Sequence, residues 1–122
     1  MTIDCNIPDD TDDTATFSGS KFQSIIIGDS VSYIGEGAFF YNDSTTSITI
    51  GKNVTFIGKN AFWACHNLKA LYCRAINPPA LGEDIFYGVS DIPDIYVPKE
   101  SYEAYCNATG WSEYKSQIYP YN

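Results

Sequence analysis

The only histidine in the chain, His66, stands beside Cys65, and a thiol with an imidazole base is the minimum equipment for nucleophilic catalysis. Neighbouring side chains usually point apart, and Cys65 falls on an apolar position of a pattern described below. The expected arrangement is therefore a core thiol next to an exposed loop histidine, with no catalytic residues. The carboxylates of Asp9, Asp10, Asp12 and Asp13 could gather a cation, but the run lacks the glycine and terminal glutamate of a calcium loop. It reads as a solvated loop, and no metal site is expected. Paired carboxylates for glycoside cleavage have nothing in the pattern to position them. Cys5, Cys65, Cys73 and Cys106 form no C-x-x-C pair; they leave room for one disulfide but read as free thiols acting as small core hydrophobes.

The aromatic residues say more. The chain of 122 residues carries ten Tyr, seven Phe and two Trp, too many rings for all of them to be buried in so small a core. Three sets recur at matching positions: Tyr33 and Phe56; Phe40, Trp63 and Tyr87; and Ile26, Thr49, Tyr72 and Tyr96. The first and third sets lie between inward-facing apolar residues and the second follows the central Phe at the coil's outer corner, so all three should point outward. Contiguous exposed rings mark binding surfaces, although such columns also pack laterally along a ladder.

What positions these columns is an internal repeat. Ser24–Thr46 reads SIIIGDSVSYIGEGAFFYNDSTT and Ser47–Lys69 reads SITIGKNVTFIGKNAFWACHNLK. Nine of 23 positions are identical at this register, and all nine are apolar, Gly, Ala or Ser. A period in the twenties is the signature of a solenoid whose coils cannot fold alone. I-x-I-G is a short strand with two inward Ile, V-x-x-I-G a second extended edge, and A-F an inward corner. Gly28 and Gly51 are expected to permit a sharp bend. Neighbouring coils should stack about 4.8 Å apart in parallel.

The third coil starts at Ala70 with Leu71-Tyr72-Cys73. It exchanges the second edge for Arg74-Ala75-Ile76-Asn77-Pro78-Pro79 and gains one residue, so Leu81 and Phe86 answer to Ile57 and Phe62. Ile95-Tyr96-Val97-Pro98 is a last strand. From Lys99 the pattern is helical, with Ser101 as N-cap, Tyr102, Tyr105 and Cys106 on one face, and Trp111, Tyr114 and Ile118 continuing the stripe as a lid. At the other end, residues 1–23 read as a degenerate first coil holding the acidic loop, with a strand over residues 2–8 and with Phe17 and Phe22 in the aromatic and leucine positions. The expected division is 1–23, repeats over 24–98 and a cap over 99–122, all one domain.

I-x-I-G-x-x-V-x-x-I-G-x-x-A-F, AFWACHNLK and NPPALGEDIF…IYVPKESYEAYCNATGWSEY together resemble the BspA-like leucine-rich repeats with their usual C-terminal end, from about Phe22 to Tyr114. Thr45 stands where the frame has its first Leu. The resemblance implies a leucine-rich-repeat solenoid, taken as right-handed from the crossover preference, with a C-terminal capping helix. It further implies a secreted or cell-surface protein that adheres to other proteins or host matrix, with no enzymatic activity and no cofactor. A carbohydrate-binding module using the outward rings is the alternative, which makes a glycan the second candidate partner. A net charge of −8 and a pI near 4.3 argue against nucleic acid and anionic membranes. No apolar run reaches the roughly 20 residues of a membrane span. No leader is visible at the N-terminus, so residues alone leave a cytoplasmic chain and one lacking its leader both open.

Overall fold

In the computed structural model residues 2–4, 22–39, 42–89 and 91–121 are described. The acidic run, Cys5, Phe17 and Phe40 lie outside the described residues. Along the chain come β1 (Thr2–Ile3), β2 (Ser24–Ile27), β3 (Tyr33–Ile34), β4 (Ser47–Ile50), β5 (Phe56–Ile57), β6 (Ala70–Cys73), β7 (Ala80–Leu81) and β8 (Asp94–Pro98). A short helix α1 (Tyr102–Asn107), a 3-10 segment (Trp111–Gln117) and β9 (Ile118–Tyr121) follow.

Period-23 residues pair with one another. The larger sheet has the order β1-β2-β4-β6-β8-β9 and the smaller one β3-β5-β7, both parallel throughout. Ile25 pairs with Ile48, Ile48 with Leu71, Leu71 with Ile95 and Ile95 with Ile118. In the smaller sheet Ile34 pairs with Ile57 and Ile57 with Leu81, so the one-residue insertion of the third coil is absorbed before β7. The turn-rich A-F segment also bonds from coil to coil, with the Phe39 amide donating to the Ala61 carbonyl at 2.8 Å and that of Phe62 to Ile85 at 2.9 Å.

Between these segments lies the core. Alternation in β2 and β4 buries Ile25, Ile27, Ile48 and Ile50, and Val31, Ile34, Val54, Ile57, Ala38 and Ala61 are buried beside them. Phe39, Phe62 and Phe86 stack along the axis at 5.8 and 5.6 Å, and Tyr114 closes the row edge-on at 5.2 Å. Each buried Ile or Phe contributes roughly 1.5–3 kcal/mol. Thr45 is buried in the leucine position because its Oγ1 donates to the Phe22 carbonyl at 2.7 Å. Phe22 itself departs from expectation. It is 50% exposed, so the leucine position of the first coil is not filled by this ring.

The expected bend is present, the Gly28 and Gly51 carbonyls accepting from the Val31 and Val54 amides at 3.2 and 3.4 Å, but the repeated glycines also serve a second purpose. Among the described residues the glycines with positive φ are Gly37, Gly88 and Gly110, not those of the I-G steps. A Cβ on Gly51 would stand 2.5 Å from the Gly28 carbonyl oxygen, and one on Gly58 would stand 2.5 Å from the Glu36 nitrogen and 2.7 Å from the Gly35 carbonyl carbon. A Cβ on Gly82 would meet Lys59 N and Gly58 in the same way. These columns let one backbone lie directly on the next. Gly58→Ala should therefore force adjacent coils apart and cost about 3 kcal/mol. Gly28→Ala should cost less, because its nearest obstacle is the movable Asp4 carboxylate. Urea midpoints of the two variants test the difference.

The C-terminal segment covers the last coil, though not as one helical stripe. Ser101 makes no side-chain cap; its hydroxyl donates instead to the Ile76 carbonyl at 2.7 Å. Tyr105 Oη donates to the Ala75 carbonyl at 2.7 Å and Trp111 Nε1 to that of Pro79 at 2.8 Å. The cap thus supplies the donors for three carbonyls of the 74–79 insertion. Ile118, expected on the helical stripe, lies instead in β9, which extends the larger sheet beyond β8.

Candidate functional site

Parallel pairing turns sequence positions into columns. On the outward side of the larger sheet, Thr2 pairs with Ile26, Ile26 with Thr49, Thr49 with Tyr72, Tyr72 with Tyr96 and Tyr96 with Tyr119. All four expected residues, Ile26, Thr49, Tyr72 and Tyr96, fall in this row. Ile26 is 45%, Tyr72 39% and Tyr119 43% exposed, while Thr49 and Tyr96 are half-buried. Tyr72 and Tyr96 stack at 5.0 Å with 17° between their planes, and Tyr119 joins at 5.8 Å and 35°. Loss of hydration, then the Asp94 carboxylate and the neighbouring phenols, push the Tyr96 phenol up, so it stays a neutral donor.

Tyr119 was not visible as a member of the row. Its strand reads Ile-Tyr-Pro-Tyr, and a proline argues against a strand except at an edge. Ile118, placed 23 residues after Ile95, was the available signal. Arg74 and Tyr121 also belong to this face. Arg74 follows two residues after Tyr72, and its guanidinium lies 4.0 Å from the Asp29 carboxylate, which Lys52 approaches to 3.7 Å. These ion pairs are exposed and contribute little to stability.

The other two columns are shorter. Tyr33 and Phe56 stack at 5.4 Å and 19° between β3 and β5, both half-buried, and the column ends at Ala80. Trp63 meets Tyr87 edge-to-face at 5.7 Å and 78°; Trp63 is half-buried and Tyr87 is 57% exposed. Phe40, the third residue expected at this corner, is outside the described residues.

Cys65 and His66 are not a catalytic pair. His66 is exposed, whereas Cys65 is fully buried with its thiol 3.0 Å from the Phe39 carbonyl. Burial chiefly, with some help from Asp43, pushes the thiol up to about 12. Burial raises the Cys73 thiol as well. Both folded-state values lie above the ordinary 9.0. The resulting stability is complete below pH 9 and falls as the unfolded chain releases protons the folded one keeps, by about 1.4 kcal/mol per pH unit per thiol. Thermal midpoints should fall between pH 9 and 11, and less steeply in a Cys65→Ala/Cys73→Ala variant. Neither thiol should react with a disulfide reagent before unfolding; peptide mapping after labelling tests this.

Among the described residues no three His, Cys, Asp or Glu gather to hold a metal ion, and no helix is long and apolar enough to cross a membrane. A family model described as a BspA type leucine rich repeat region (6 copies) matches residues 13–110. No curated protein matches the chain.

Proposed function

The chain belongs to the BspA-type leucine-rich-repeat family, and on that footing we propose that it is a non-catalytic protein–protein interaction or adhesion module working outside the cell or at its surface. Within this reading the repeats of 24–98, wound right-handed, present the surface, and 99–122 seal them. The degenerate first coil expected over 1–23 is described only at residues 2–4 and 22–23. The observation that carries the reading is the row Tyr72–Tyr96–Tyr119 on the outward face of the larger sheet. Tyrosines held on strands lose little freedom when they dock, which makes them efficient anchors for a protein partner. A host or matrix protein is the partner implied.

Binding to immobilised extracellular-matrix proteins should survive Trp63→Ala and drop at least tenfold with Tyr72→Ala. The opposite pattern would move the surface to the Trp63 corner. Loss of neither would remove the strand face and the corner alike from the reading.

One observation favours a glycan as a second reading. In the strand row Tyr96 is covered by Tyr72 and Tyr119, and Tyr72 keeps one open face, hemmed by Arg74 and Tyr121, whereas sugars stack on broad free faces. Tyr87 meets Trp63 edge-on and remains 57% exposed, so stacking area is available there. A glycan-array signal that dims with Trp63→Ala would support the sugar reading at that corner.

A further inference from the structure

The outward row changes size abruptly at Thr49. Tyr72 is covered on one side by Tyr96, and its other face turns toward the short side chain of Thr49 on β4. A shallow, largely open notch of about 320 Å³ lies there, lined by Thr49, Tyr72, Arg74 and Tyr121. Its wall is mostly carbon, with one guanidinium among the polar groups. Arg74 is half-exposed, and its contact with Asp29 is at the outer limit of an ion pair. A guanidinium has five N–H donors, and one distant carboxylate does not use them all. Asp29 and Asp4 on one side and Glu100 near Tyr121 on the other flank this edge, and Arg74 is the cationic group in the lining itself.

We infer that this notch selects the partner: it takes an acidic residue of a peptide segment, with the carboxylate on Arg74 and an adjoining apolar side chain on the open face of Tyr72 above Thr49. The inference rests on the protein-interaction reading and adds a partner chemistry to it. Size and lining favour a peptide over a glycan, because the volume is at the low end for ligand pockets and suits one or two side chains. A sugar would also need more polar groups than this wall provides. Charge gives the direction of selection, since a guanidinium pairs with a carboxylate through paired N–H donors.

The test is an amide-resolved NMR titration with two synthetic hexapeptide pools. In the first, one Asp or Glu adjoins Leu, Phe or Pro; in the second, Asn or Gln replaces the acid. The first pool should shift the amides of Thr49, Tyr72, Arg74 and Tyr121, and the second should bind at least fivefold more weakly. Arg74→Gln should remove that preference, and Thr49→Phe, which fills the notch, should abolish binding with the melting temperature unchanged. Equal binding of both pools overturns the inference. So do shifts centred on Tyr96 and Tyr119 that ignore Arg74→Gln, although the face itself then survives as an interaction surface. Silence across the whole larger sheet overturns the notch and the face together. A uronic-acid oligosaccharide that shifts these four amides while the first pool does not overturns the peptide class.

Discussion

Ile57→Asp should leave the chain unfolded at room temperature, whereas Ile26→Asp should leave it folded with its melting temperature nearly unchanged. Ile57 is fully buried on β5, between Ile34 and Leu81 in the smaller sheet. Removing its side chain forfeits about 2–3 kcal/mol of apolar burial. The carboxylate that replaces it has no cation in the core to meet, so it must either remain charged without water or take up a proton. A shift of three to five pKa units, usual for such a site, leaves the acid largely protonated in the core and costs about 4 kcal/mol at neutral pH against the ionised unfolded chain. The sum rivals the whole stability of a small domain, about 5–15 kcal/mol. Ile26 differs from Ile57 in direction, not in chemistry. It alternates with the buried Ile25 and Ile27 and is 45% exposed, so its carboxylate stays in water and costs about 0.5 kcal/mol or less. Circular-dichroism melts of the two variants measure the contrast. A folded Ile57→Asp protein with an unshifted midpoint would mean that the inward assignment of the repeat is wrong.

The inward residues were legible in the sequence because each occurs at least twice at one spacing, and a period that returns Ile, Gly and Phe together has few explanations besides stacked coils. The outward row was legible for the same reason as far as Tyr96. It stopped being legible where the repeat stops. Tyr119 belongs to a strand that carries a proline, and it was hidden by an apolar stripe, Trp111-Tyr114-Ile118, that matches helical spacing equally well. Arg74 stands where the other coils carry Gly51 and Gly28, so no side chain in the repeat announces it, and Tyr121 comes from the tail beyond the repeats. The bend at Gly28 and Gly51 was legible, but the close stacking of the glycine columns was not: spacing shows that a side chain is missing, and only the neighbouring backbone shows what it would strike. Ser101 illustrates a local rule overridden by tertiary demand. Its hydroxyl suits a helix N-cap, yet the Ile76 carbonyl, left without a ladder partner by the insertion, takes it instead.

That substitution of roles makes the cap and the insertion a single unit, and Trp111→Ala is its strongest test. Trp111 is fully buried, meets Tyr105 edge-on at 5.0 Å and donates its indole N–H to Pro79. Truncation leaves a cavity worth about 3–5 kcal/mol and strands a buried carbonyl at about 1–3 kcal/mol more. The expected loss is therefore about 4–8 kcal/mol, much of the stability a small domain has. Trp111→Phe keeps much of the ring but not the donor, so it should lose less than Trp111→Ala by at least 1 kcal/mol. Tyr105→Phe removes only the hydroxyl that serves Ala75, and combining it with Trp111→Phe should be non-additive, since the two rings touch and both hold the same insertion. Urea unfolding distinguishes how the damage spreads. If cap and coils form one cooperative stack, the Trp111→Ala midpoint drops while the slope is unchanged. A lowered slope would mean that the cap melts first and exposes the last rungs, Leu71, Ile95 and Phe86, before the coils open. A loss below about 2 kcal/mol in Trp111→Ala would show instead that the coils hold themselves together without the seal.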